Sequence, residues 1–139
     1  MGIIMNISME ETFVKTFCEK RIVDRLIYEL NNPKKRMNAL WRFSNHDQFI
    51  KKSCIVDSSN KFTPDNLMDK IKKLSKSNKC YLLSPSFDGV EYSLYDGIHQ
   101  GFYEGLAVVF IIDSNTAVIK DEQVYGAPTK YILHSPSNN

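Results

Sequence analysis

No apolar run in this chain of 139 residues is long enough to cross a bilayer. The longest, Leu106 to Ile112, covers seven residues, against roughly 20 for a membrane helix. The opening residues lack a basic stretch followed by an apolar core, so no export signal is read there. Cysteine is scarce: Cys18, Cys54 and Cys80 are odd in number, widely separated and contain no CxxC pair. Their spacing argues against a disulfide framework and a thiolate metal site, and reduced thiols in a cytoplasm are the simplest reading. His46, His99 and His134 supply no HExxH or HxH spacing. GxGxxG, GxxxxGK[ST] and GxSxG are all missing, so no nucleotide loop or serine elbow is read and no cofactor is implied.

What is present is the material of one folded domain. Hydrophobic residues make up 42% and aromatics 12%, with only five prolines and six glycines, enough for a proper core at this length. Residues 1–139 read as a single domain, with 1–7 and 135–139 expected to be flexible. The net charge of +2 hides an uneven distribution. Residues 1–80 hold sixteen Lys/Arg against nine Asp/Glu, a surplus of +7; residues 81–139 hold two against seven, a surplus of −5. Such asymmetry points to a charged partner for one half or to self-association.

Patterning divides the chain at the same place. Ser8-Met9-Glu10-Glu11 has the form of a capping box. Phe13, Phe17, Ile22, Leu26 and Leu30 then recur at helical spacing over about 20 residues, with a break expected near Glu19. Pro33 suits the first position of a second helix, whose buried face would be Met37, Leu40, Trp41 and Phe43. Residues 48–62 admit either an edge strand or an extended loop. Thr63-Pro64-Asp65 marks a third helix start. Cys80 to Ser84 reads as an interior strand, Asp88-Gly89 as a turn, and Leu94 to Glu104 as a helix closed by Gly105. Strands follow at Leu106–Ile112, Thr116–Lys120 and Lys130–His134. The expected fold is α+β, with N-terminal helices packed on one face of a mainly antiparallel sheet of about four strands.

Three sets of residues carry possible chemistry. Asp96, His99 and Tyr103 share one helical face, where an aspartate could orient a histidine as a general base. Asp88 and Glu91 are close carboxylates of the kind that hold a divalent metal. Arg21, Arg25, Lys34, Lys35 and Arg36 form a basic series on the first two helices, suited to an anion or a nucleic-acid backbone. Gly97, Gly101 and Gly105 recur every four residues, which implies a close approach of the helix backbone to a neighbour.

Several pieces, taken in order, resemble a family of small uncharacterised bacterial proteins. They are Phe17-Cys-Glu-Lys-Arg21, Asn32-Pro-Lys-Lys-Arg36, Cys80-Tyr-Leu-Leu-Ser84, Asp88-Gly-Val-Glu91 and Lys130-Tyr-Ile-Leu133. Asp113 to Asn115 departs from the pattern, where Pro-Gly is expected. The resemblance implies a bacterial or phage-associated cytoplasmic protein of α+β fold and supplies no activity. The expected function is a non-enzymatic cytoplasmic binding or interaction protein, with a protein partner or a second copy of itself. The alternatives are a small acid/base or metal-dependent hydrolase, and a nucleic-acid-binding protein using the basic helical half.

Overall fold

Strands that are apolar at almost every position need cover on both faces. The computed structural model, which describes residues 6–136, provides it. The helices are α1 (Ile7–Phe17), α2 (Lys20–Asn31), α3 (Arg36–Arg42), α4 (Pro64–Leu74) and α5 (Leu94–Phe102). The strands are β1 (Ile55–Ser59), β2 (Lys79–Leu83), β3 (Asp88–Ser93), β4 (Val108–Asp113), β5 (Thr116–Lys120) and β6 (Lys130–His134). They form one antiparallel sheet in the order β1-β6-β5-β4-β2-β3. The sheet thus has six strands, not about four. The two additions, β1 and β3, are its edges. Edge strands are half-exposed, so Ile-Val-Asp-Ser-Ser and Asp-Gly-Val-Glu-Tyr-Ser carry too few apolar residues to stand out by pattern.

Helices cover both faces, not one. Tyr81, Leu83, Val109, Ile111, Ala117, Ile119 and Leu133 pack under α1, α2 and α3. Cys80, Leu82, Val108, Phe110, Ile112, Val118 and Ile132 pack under α4 and α5. The second layer follows from the connections. α4 carries the chain from β1 at one edge to β2, and α5 carries it from β3 across β2 to β4. The basic half of the chain therefore contributes helices to both faces, and the charge division does not coincide with the two sides of the sheet.

Local chemistry explains where the elements begin and end. α1 is capped by Asn6, whose side chain accepts from the Met9 N–H at 3.0 Å; Ser8 lies inside the helix. Asparagine is as good a cap as serine, and it stands two residues earlier. Asn6 and Ile7 are thus part of the folded body, while residues 1–5 and 137–139 lie outside the described residues. The break near Glu19 is present. Cys18 bridges to Ile50, and Phe17 O and Glu19 N bond Lys51 and Phe49, which pulls the backbone out of helical geometry. α4 starts as its sequence indicates, with Thr63 and Asn66 exchanging a capping box and Pro64 in the first turn.

α3 departs from expectation. Pro33 lies in a turn, and the helix begins at Arg36. Its inward positions are Arg36, Ala39 and Leu40, continuing to Phe43. Met37 and Trp41 face outward and are 45% and 46% exposed. Beneath α1 and α3, Phe13, Phe17, Phe43 and Phe49 form a chain of tilted and edge-on rings with centroids 5.5–6.1 Å apart.

The glycines of α5 pack against the sheet. A Cβ on Gly97 would sit 2.5 Å from Cys80 Cβ, and one on Gly101 would sit 2.5 Å from the Phe110 ring. Gly105 has open space around it, and α5 ends at Phe102 with Tyr103 as its cap, not a left-handed glycine. In a free helix, glycine to alanine gains about 1 kcal/mol. Here the expected sign is reversed: Gly97→Ala loses about 1–3 kcal/mol in urea unfolding, because Cys80 is fixed in a strand. A stabilised Gly97→Ala would contradict this packing.

Candidate functional site

Arg36 and Glu10 are charged residues in a place built for apolar ones. Arg36 is 6% exposed and Glu10 is fully buried. Burial of either alone would cost several kcal/mol, so each needs its counter-charge in contact. Arg36 donates to the two Glu10 oxygens at 2.8 and 2.6 Å, to Asp88 Oδ1 at 2.6 Å and to the Leu30 carbonyl at 3.0 Å. Tyr81 Oη donates to Glu10 Oε2 at 2.5 Å and accepts the Asn6 N–H at 2.9 Å. Burial opposes the guanidinium charge, but the bonds from Glu10 and Asp88 outweigh it and hold the Arg36 pKa above its ordinary value. Burial, then the Glu10 bond, push Tyr81 up.

Asp88 reaches this cluster because of Gly89. Leu82 pairs with Val90 and Leu83 with Asp88, which leaves Gly89 as an extra residue with φ of 77°. The expected turn at Asp88-Gly89 is therefore a bulge, and the reversal itself lies at Ser84–Phe87. Regular alternation would put Asp88 on the α5 side with Val90 and Tyr92. The bulge turns it to the other face, toward Arg36.

A second cluster stands at the far end of β5. The 3₁₀ segment Phe43–Gln48 delivers buried His46, whose Nε2 lies 2.5 Å from Asp121 Oδ1. Tyr131 Oη donates to Asp121 Oδ2 at 3.2 Å. Burial, then the neighbouring Asp121, push the Tyr131 pKa up. Asp121 opens on a cleft of about 460 Å³ that Ser44, Asp47, Glu122, Tyr125 and Tyr131 also line. His46 sits behind the carboxylate and does not line the cleft. The arrangement orients a carboxylate; it does not present an imidazole to a ligand.

Beside Asp121, Lys120 is fully buried. Its ammonium donates to the carbonyls of Glu104, Leu106 and Asp121, the last two at 2.8 and 3.2 Å, and burial lowers its pKa to about 8. Lys130 is 3% exposed, lies 4.2 Å over the Phe102 ring, and is likewise lowered by burial. Both cations of the second half are thus turned inward.

Asp88 and Glu91 bond different cations, Arg36 and Lys79. Among the described residues no group of three His, Cys, Asp or Glu is placed to hold a metal ion. Asp96, His99 and Tyr103 make no hydrogen bond to one another among the described residues. Asp96 N–H bonds the Ser93 cap, and His99 bonds Tyr95 O and stacks on its ring at 4.0 Å. Of the basic series, Arg36 is buried in its cluster, Arg25 joins Arg42 on buried Glu29, and Arg21 bonds Glu19 and the Gln48 carbonyl. The Arg42 bond first, and Arg25 with it, hold the Glu29 carboxyl below the usual range. Lys34 and Lys35 stay exposed, with no ion pair among the described residues. The three cysteines are free and buried, and burial pushes the Cys18 thiol up to about 12.

Comparison with protein-family models, with curated proteins and with solved structures finds no match for the chain. No helix among the described residues is long and apolar enough to cross a membrane.

Replacing Arg36 by methionine strands two carboxylates and should cost about 3–5 kcal/mol in denaturant unfolding. A loss below about 1 kcal/mol would show that the cluster is not desolvated. Lys120 carries a pH signature. Its folded pKa of about 8 lies below the ordinary 10.5, so between these values the unfolded chain holds a proton that the folded chain has released. Stability attributable to Lys120 therefore rises with pH across that window. Lys120→Met should abolish this rise. Stability curves from pH 7 to 10 for both proteins make the measurement.

Proposed function

We propose that the protein is a non-enzymatic binding protein that engages a protein partner through the outer face of α2 and α3. The observation that carries this is the outward position of Trp41 and Met37, on a helix whose inward place is taken by Arg36. Tyr28 on α2 is also exposed. Tryptophan, tyrosine and methionine are enriched as anchors at protein interfaces, because they bury much area at modest entropic cost. Lys34 and Lys35, in the turn between the two helices, add positive charge at the same place.

Two findings support a protein partner over the alternatives. Phosphate recognition needs several uncommitted cations. Here Arg21, Arg25 and Arg36 are engaged with carboxylates, which leaves two lysines of the original series. An acid/base enzyme needs its groups in mutual reach. Asp96, His99 and Tyr103 lack hydrogen bonds to one another among the described residues, while Asp121 is clamped by His46 and Tyr131.

Trp41 is the only tryptophan, so its fluorescence reports on this face alone. Addition of the bound partner should shift its emission to the blue and protect it from acrylamide. Met37→Ser should weaken binding at least about tenfold without lowering the melting temperature. Retention on RNA or DNA at low salt, lost on Lys34→Glu and untouched by Met37→Ser, would overturn this reading in favour of a nucleic-acid one.

A further inference from the structure

The face just described has a counterpart elsewhere in the molecule. β5 and β6 are joined by residues 121–129, and the tip of this loop carries Val124 and Tyr125 at 83% and 97% exposure. Side chains so exposed gain nothing from the fold and are free to be covered by another surface. The loop opens with Asp121 and Glu122, and Asp47 stands across the cleft from them. No exposed cation from residues 81–136 offsets them, because Lys120 and Lys130 are buried. The loop is thus acidic and apolar, while the α2–α3 face is basic and apolar. Ser44, which lines the cleft, lies one turn beyond Trp41, so the two surfaces are neighbours.

We propose, building on the reading of α2–α3 as a binding face, that its occupant is the β5–β6 loop of a second copy of this chain. Val124 and Tyr125 of one copy cover Met37 and Trp41 of the other, and Glu122 approaches Lys34 and Lys35. Because donor loop and acceptor face adjoin on each copy, a two-fold axis lets each copy give its loop and receive its partner's. The contact is reciprocal and closes on itself, as most homodimers do. One event covers two uncovered apolar surfaces and sets opposite charges against each other.

Light scattering across a concentration series, with Trp41 emission followed in parallel, tests this. The wild type should be a dimer at about 100 µM and dissociate on dilution, with Trp41 shifting to the red as it does. The double variant Val124→Ser, Tyr125→Ser should be monomeric with an unchanged melting temperature. Lys34→Glu with Lys35→Glu should raise the dissociation constant at least about tenfold, and adding Glu122→Lys should recover part of that loss. A wild type that stays monomeric, or a dimer indifferent to the loop variants, overturns the proposal. A monomer whose Trp41 is still shielded by a captured acidic protein leaves the binding face standing and removes only the second copy. A monomer whose Trp41 no protein shields removes both.

Discussion

A guanidinium withdrawn from water must be neutralised where it lies, and much of this molecule is arranged around that demand. Arg36 on α3 meets Glu10 on α1, Asp88 on edge strand β3, and through Glu10 the hydroxyl of Tyr81 on β2. One cluster thus ties the helical layer to two strands of the sheet. Buried ion pairs add little net stability over apolar residues of the same shape. What this one supplies is orientation. It sets the rotation of α3 about its axis, explains the bulge at Gly89, and turns Met37 and Trp41 toward solvent.

The doubly covered sheet is the second constraint. β4 and β5 are buried along nearly their whole length, so their polar ends must be satisfied locally. Thr116 pairs with His134, Asp113 receives Ser75, and Lys120 is capped by three carbonyls. The close approach of α5 at Gly97 and Gly101 belongs to the same requirement, since it lets the helix seal the apolar face of β2 at Cys80 and of β4 at Phe110. The layers leave Met37 and Trp41 on α3 and Val124 and Tyr125 on the β5–β6 loop facing solvent.

Much of this was legible in the residues. The α+β class, the break after Phe17, the Thr63-Pro64 start and the four inner strands all follow from periodicity and caps. Edge strand β3 was not legible as a strand, and β1 only as one of two readings, because a half-exposed strand is short and mixed in composition. The buried pair left a readable trace. Glu10 precedes Phe13, Val14 and Phe17 by three, four and seven residues, and Arg36 precedes Ala39, Leu40 and Phe43 by the same steps. Each charge therefore sits on the apolar stripe of its own helix. With Arg36 on the inward stripe, α3 is turned by a fraction of a turn from the face Met37, Leu40, Trp41 and Phe43 suggest, and Trp41 points outward. His46 and Asp121, separated by 75 positions, offered no comparable local signal.

The inward turn of Lys120 and Lys130 has a consequence for how the protein meets other chemistry. Residues 81–139 contain no other lysine and no arginine. In the folded molecule this whole stretch presents no accessible primary amine and no site for a trypsin-like protease. Acylation, ubiquitin-type conjugation and amine-directed labels all fall on the helical half by default. The second half of the chain is chemically silent to them until the fold opens.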